Sequence, residues 1–386
     1  MSFLQNLTAA FKGGAGRVPL ARGFASPWIF ADAGSPRAPF AYDGAVRRAF
    51  LENPVAQRAV RLVAEGIGQA PLQQSDPDLM RLVSATSAGQ SLLETLCSQM
   101  LLHGNGYVQI MKDAEGLPAE LYALRPERVS VILGSDGWPQ AYGYRVGEQA
   151  ITIPLTGEDG TPNIIHLKGF HPVDDHYGAG CLSAADQAVA IHNAASVWNR
   201  ALLENAARPS GALIYDGGEA GGLTGEQFDR LKDELSRAFA GNANAGRPML
   251  LEGGLRWQSM SLTPADMDFA SLQAAAARDI ALAFGVPPML LGLPGDATYA
   301  NYREANRALW RLTLLPMANK LLSGLGEAMA GWFPDAALAI DLDRIPALAE
   351  DRQQLWSQVT AADFLSADEK RAMLGLAPAQ TGVENK

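Results

Sequence analysis

Cysteine is scarce. Cys97 and Cys181 are the only two in 386 residues and form no CxxC pair, which excludes a disulfide framework and a thiolate metal knuckle. No apolar run is long enough to cross a bilayer and no segment has the layout of a signal peptide, so the chain is expected to originate in the cytosol. Basic charge is also short: 31 Lys and Arg face 41 Asp and Glu, a formal net charge of −10. Gripping duplex nucleic acid along a face requires clustered cations, so any contact of that kind is expected to be loose. There is no GxxxxGK[ST] loop, which excludes a P-loop ATPase, and no GxSxG elbow or comparable nucleophile motif.

What is present is a 48% hydrophobic content, enough for one large core or two modest ones. The basic residues are 24 Arg against 7 Lys. Arginine suits bidentate pairing at interfaces, so this bias points toward assembly.

Along the chain, Phe3, Leu4, Leu7 and Phe11 fall at helical spacing ahead of a stretch rich in Gly, Pro and Ala that runs to Pro39. Residues 1–41 are read either as an arm with an amphipathic hook that lies across a neighbouring subunit, or as an irregular terminus. Asn53-Pro54 supplies an N-cap and a first-turn proline, and Val55, Ala59, Leu62, Val63 and Ile67 line one helical face behind it. A second helix is predicted over Ser91–His103. From Gly106 the period becomes extended: Tyr107–Met111, a turn over Asp113–Gly116, then strands at Leu121–Leu124, Val129–Leu133, Tyr142–Val146 and Ile164–Leu167. Residues 42–180 therefore read as an α+β domain.

After Gly178 and Gly180 the helical period returns, with Ser183 and Asp186 at capping-box spacing. Ala184, Ala188, Ile191, Ala195, Trp198 and Leu202 then make a narrow seam of mostly small residues, of coiled-coil type. Arg208-Pro209-Ser210-Gly211 ends this helix. A small α/β unit follows, with a strand at Ala212–Tyr215, a helix from Thr224 capped by Gln227 and burying Phe228, Leu231, Leu235 and Phe239, and a hairpin turning at Gly253-Gly254. The next helix opens at Thr263-Pro264 with Asp266, carries Phe269, Leu272, Ala276, Ile280 and Ala283, and stops at Gly285 before Pro287-Pro288. A loop over 286–298 leads to a helix that ends near Met329, roughly 48 Å long at the usual rise, and Pro316 is predicted to kink it.

One cluster invites an enzymatic reading: His166, His171, Asp174, Asp175 and His176 offer metal-type ligands for a hydrolase or nuclease. Their spacing matches neither HExxH nor paired CxxC. The competing reading is a domain-connecting turn whose polar side chains cap backbone groups. His192, on the seam helix, reads as packed or interfacial.

A resemblance joins these pieces. Its residues are Asn53-Pro54-Val55 with Ala59-Val60-Arg61, Gly104-Asn105-Gly106-Tyr107, Leu124-Arg125-Pro126, Ile165-His166-Leu167-Lys168, His171-Pro172, Tyr177-Gly178 and Arg208-Pro209-Ser210-Gly211. Most telling is the run Ile280–Pro288, with Leu291-Gly292 and Thr298-Tyr299-Ala300-Asn301-Tyr302 behind it. From about residue 42 to 345 this string resembles the phage portal protein family of long-tailed, siphovirus-like phages, and within it the compact portals of gene transfer agents.

The resemblance implies an α+β portal-type fold. Its parts would be an N-terminal arm (1–41), an α/β wing (42–180), a stem helix (181–206), a small α/β clip (207–262), a second stem helix (263–285), a tunnel loop (286–298), a kinked helix with the second part of the wing (299–346), and a short helical crown (347–386). It implies no catalytic residue, cofactor or metal. The function implied is that of a head-to-tail connector: a dodecameric ring at one capsid vertex, assembled in the bacterial cytoplasm, through which double-stranded DNA passes non-specifically. The implied partners are the terminase large subunit, transiently, then head-tail adaptors and the major capsid protein, with no membrane.

Leu293, Pro294, Gly295, Asp296, Ala297 and Thr298 would face the DNA, and Phe228, Asp229, Lys232 and Arg256 would dock partners at the clip. Twelve copies would carry roughly −120 charges, and acidic walls repel phosphate rather than bind it. Arg303, Arg307 and Arg311 fall four apart on the helix after the loop. They are read either as a lumenal stripe or as partners, between subunits, for carboxylates such as Glu304. A ring-forming adaptor without DNA passage fits the charge and the seams as well.

Overall fold

The structure, a computed structural model, describes residues 42–73, 75–87, 89–204, 211–215, 224–230, 233, 255–259, 269–293, 299–334 and 336–376. The N-terminal arm, Pro294–Thr298, Lys232 and the Gly253-Gly254 turn lie outside them.

The first long helix shows how a local signal becomes a tertiary contact. Helix α1 (Tyr42–Val46) runs into a π turn over Arg47–Leu51, and α2 (Pro54–Gly68) starts immediately after Asn53. The Asn53 side chain accepts from the backbone N–H groups of Val55 at 3.0 Å and Ala56 at 2.9 Å, leaving its amide nitrogen free to donate elsewhere. That nitrogen donates to Asn193 Oδ1 at 2.8 Å and approaches His192 Nδ1 at 3.2 Å, so one cap also ties α2 to a helix 140 residues later. His192 is therefore packed against α2, as its position on the helix suggested.

Helix α3 (Pro77–Val83) and a two-residue hairpin, β1 (Thr86–Ser87) with β2 (Gln90–Ser91), precede α4 (Leu92–His103). Ser91 caps α4 through the N–H of Glu94. The chain then folds into two antiparallel three-stranded sheets. One has the order β4-β3-β8, from β3 (Asn105–Lys112), β4 (Pro118–Leu124) and β8 (Ile164–Lys168). The other has the order β5-β6-β7, from β5 (Val129–Leu133), β6 (Pro139–Val146) and β7 (Gln149–Pro154). Tyr107, Leu124, Val129, Tyr142, Ile153 and Ile164 form a small core shared by the sheets. The main core lies on the helical side, where α2 and α4 pack with the helices that follow.

Helix α5 (Cys181–Glu204) differs from expectation in two ways. It starts at Cys181, so Ser183 lies inside the first turn and its hydroxyl donates back to the carbonyl of Gly180. Asp186 does not complete a capping box but pairs with Arg48 at 2.7 Å. The buried stripe is Leu182, Ala185, Val189, His192 and Ala195, while Ala184 and Trp198 of the anticipated seam are exposed. Burial follows the docking onto α1, the π turn behind it and α4, which turns the helix about one position from the phase its alanines suggest.

Strands β9 (Gly211–Tyr215) and β10 (Leu255–Ser259) pair antiparallel, Leu213 opposite Trp257. Between them residues 225–230 are helical, with Thr224 and Gln227 making the reciprocal capping bonds. Phe228 is 58% exposed, which contradicts its place in a buried stripe. Helix α6 (Phe269–Ala283) packs along α5 and ends at Gly285, whose φ of 65° suits the left-handed stop read from the sequence. Ala276 and Ile280 are buried; Leu272 is not.

Beyond the loop, α7 (Tyr299–Leu309) and α8 (Leu315–Met329) are joined by a π turn over Trp310–Leu314. The irregularity therefore lies just ahead of Pro316, at the second position of α8. Proline has no N–H for the carbonyl four residues back, and the backbone adapts by widening one turn, with Leu315 N–H donating to Trp310 O. Helices α9 (Ala349–Ala361) and α10 (Ala367–Met373) complete the described chain. No helix among the described residues is long and apolar enough to cross a membrane.

Candidate functional site

Three regions of the chain bear on chemistry or on contact with other molecules. The first is the histidine-rich segment. Asp174 accepts from the backbone N–H groups of His176 at 2.7 Å and Tyr177 at 3.0 Å, and His171 Nδ1 accepts from Val173 N–H at 3.2 Å. Lys168 donates to the carbonyl of Asp175. The polar side chains thus hold a turn, and no group of metal-type ligands converges among the described residues. His166 is held by other residues: its ring stacks on Tyr107 at 4.3 Å and its Nε2 lies 3.0 Å from Asn105 Oδ1. Burial, followed by the charges of Lys168, His103 and His176, lowers its pKa to about 3. A neutral, enclosed imidazole of this kind is a poor general base near neutral pH.

Asn105, within the Gly-Asn-Gly-Tyr run, is the residue that sequence reasoning named without giving it a role. It is 1% exposed and bonds to three segments at once: β8 through His166, the end of α4 through His103, and the chain entering α5 through Gly178. The backbone comes very close here. A Cβ on Gly178 would lie 2.1 Å from the carbonyl oxygen of Gly104, and one on Gly104, whose φ is 81°, would lie 2.3 Å from the Ala179 carbonyl carbon. A buried polar residue flanked by glycines is the available signal for such a junction.

The second region is the basic stripe on α7. Arg303 donates to Glu350 Oε1 at 2.9 Å and Arg307 to Glu350 Oε2 at 2.6 Å, while Arg307 also lies 3.5 Å from Glu304 and 3.6 Å from Asp351. The carboxylates come from α7 itself and from α9 of the same chain, so this pairing is made within the subunit. Arg311 is exposed and borders a shallow hollow with Asp351, Gln354, Leu355 and Gln358. Leu293 closes the short turn that follows α6.

The third region is apolar. Leu282 on α6 is 79% exposed and Leu312 in the π turn is 76% exposed. They flank Gly285, whose N–H donates to the Leu282 carbonyl and whose own carbonyl accepts from the Thr313 hydroxyl at 2.6 Å. Val197 and Trp198 are exposed on α5, against which α6 packs. Phe228 and Asp229 are exposed on the small inserted unit, and Arg256 opposes Ile214 in the β9–β10 pair.

A family model for phage portal proteins matches residues 54–375. The chain belongs to the phage portal protein family. The role of such proteins is structural, and the rival hydrolase reading has no support in the site. An uncharacterized protein of Rickettsia felis is 38% identical over 351 residues, covering 86% of this chain and 89% of that protein. A chain in the virion of a native gene transfer agent particle is 48% identical, with a TM-score of 0.67, covering 90% of this chain and 97% of that one. A chain in the neck of the native particle, computed with C12 symmetry, is likewise 48% identical with a TM-score of 0.67, covering 89% and 97%. This portal subunit thus combines helices and antiparallel sheets as its solved relatives do.

Proposed function

We propose that this portal subunit forms a dodecameric ring at one vertex of a phage-like particle, of gene transfer agent type. There it is the channel for DNA entry and exit and the platform first for the terminase motor, then for head-tail adaptors. The observation that carries this reading is the near-complete correspondence with a neck chain arranged with C12 symmetry, at 48% identity. The exposed apolar residues on α5, α6 and the π turn supply what a ring needs, a surface that a neighbouring copy can cover.

Within that reading, residues 42–180 are the wing, 181–206 and 263–285 the stem, 207–262 the clip, 286–298 the tunnel loop, 299–346 the kinked helix with the rest of the wing, and 347–386 a short crown. Leu293–Thr298 touch the passing DNA without a cation among them, a steric contact that does not hold phosphate. Phe228, Asp229, Lys232 and Arg256 are the clip residues that meet the motor and adaptors. Arg303 and Arg307 anchor the crown helix to the kinked helix, and Arg311 remains the stripe's candidate for lumenal or intersubunit contact. The ring is assembled in the bacterial cytoplasm and seats among major capsid proteins.

Deleting Leu293–Ala297 tests the channel assignment. Ring assembly should persist while DNA packaging stops; packaging that continues unimpaired would remove the loop from the channel.

A further inference from the structure

The hydrogen bonds around Asn105 fix the protonation of two histidines. Gly178 N–H, which can only donate, reaches Asn105 Oδ1 at 2.7 Å, and the carbonyls of Gly178 and His103, which can only accept, lie 3.1 and 3.3 Å from Nδ2. The amide orientation is thereby set by backbone groups alone. His103 Nδ1, 3.1 Å from Nδ2, must offer a lone pair, and His166 Nε2, 3.0 Å from Oδ1, must carry the hydrogen. The His166 Nδ1 lone pair then accepts from the Tyr142 hydroxyl at 3.3 Å.

We propose that this junction is an acid-sensitive joint. A solvent proton taken up at His103 Nδ1 sets two N–H donors face to face, expels the Asn105 amide from Gly178, and frees the segment from which α5 starts. Tyr142 adapts if His166 is protonated, because a hydroxyl can turn from donor to acceptor; the Asn105 amide has no such freedom while Gly178 holds its oxygen.

Other ionisable and aromatic groups surround the pair. Tyr42 packs edge-on against the His103 ring at 4.7 Å, with Asp43, Glu127 and Arg125 further out around it. On the sheet side the ionisable neighbours are His166, His176 and the cation Lys168, and Asp174, already holding two backbone N–H groups, is the acid beside Tyr107 and Tyr177. Tyr107, Tyr142 and Tyr177 stay neutral over this range, held above their ordinary value by burial. Burial holds His103 down to about 4, against 6.5 when solvated. The opened population should therefore rise about twentyfold between pH 7 and pH 5.

The joint is independent of the portal reading; only the naming of α5 as stem rests on it. Hydrogen–deuterium exchange of the full chain at pH 7 and pH 5, corrected for chemical exchange, reads the joint through residues 169–181. Exchange should rise about twentyfold in the parent and stay flat in His103→Gln, whose amide oxygen accepts but does not titrate. A flat parent, or an equal rise in His103→Gln, overturns the proposal. If that variant does not fold, Asn105→Asp serves: its carboxylate pairs with protonated His103, so the segment should be better protected at pH 5 than at pH 7, and the parent's profile there would equally overturn it. Failure to form rings would instead count against the portal reading and leave the joint untouched.

Discussion

Arg307 and Glu350 meet at 2.6 Å, and Arg303 reaches the other oxygen of the same carboxylate at 2.9 Å. One carboxylate thus joins the helix that follows the loop to the first helix of the C-terminal segment. Glu350 is 59% exposed, so solvent and salt screen the pair. A double-mutant cycle with Arg307→Ala and Glu350→Ala should give a coupling of about 0.5–1 kcal/mol that shrinks with added salt. A coupling above about 3 kcal/mol would mean that the pair is enclosed, for example by a neighbouring subunit.

The cap at Asn53 performs two tasks that substitution separates. Asn53→Asp keeps the acceptor for Val55 and Ala56 but loses the donor to Asn193, whereas Asn53→Ala loses both. Urea unfolding should place the alanine variant below the aspartate variant by about 1 kcal/mol, and both below the parent. Equal stabilities would show that the cap carries nothing.

At the crossing of Gly104 and Gly178 there is no room for a methyl group, since the nearest atom to a Cβ on Gly178 is a backbone oxygen at 2.1 Å. Gly178→Ala should cost on the order of 4 kcal/mol and sharply reduce the folded yield, while Gly331→Ala, with nothing nearby, should be close to neutral. Thermal denaturation of the two variants side by side checks this.

Acid should weaken the fold through His166 as well as His103. Both have folded-state pKa values below the ordinary 6.5, at about 3 and about 4, so the folded state favours their neutral forms. Their contribution is full above pH 6.5 and is lost as pH falls toward those values. His166→Gln should flatten the fall in melting temperature across this window; an unchanged slope would assign the acid response elsewhere.

Apolar exposure on the long helices should matter for assembly and not for folding. Leu282→Asp and Leu312→Asp replace side chains that are 79% and 76% exposed, so the melting temperature of dispersed subunits should move little. Sedimentation should show fewer rings. Full ring formation with both substitutions would place the subunit contact on another face.

Much of this architecture was legible where a local signal and the tertiary environment agree. Asn53-Pro54, Ser91 and Gly285 mark helix ends in the sequence and mark them in the structure, and the resemblance supplied the portal fold. Strand β7 was not legible because four of its first five residues, including Ile151, are exposed and leave no clean alternation. In α5 alanines occur on several faces, so apolar periodicity does not set the phase; docking on α1, the π turn and α4 does, and the polar His192 is buried beside Asn53. Pro316 announced an irregularity, but the turn that widens lies ahead of the proline, over Trp310–Leu314, rather than at it. The pairing of the basic stripe with Glu350 spans more than 40 residues, beyond the reach of helical spacing.

The central claim, that this subunit closes into a portal ring, is tested most directly by negative-stain electron microscopy of the purified chain viewed down the particle axis. Twelvefold closed rings with a central hole wide enough for duplex DNA are the predicted result. Compact particles at every concentration, with and without capsid protein, would contradict it.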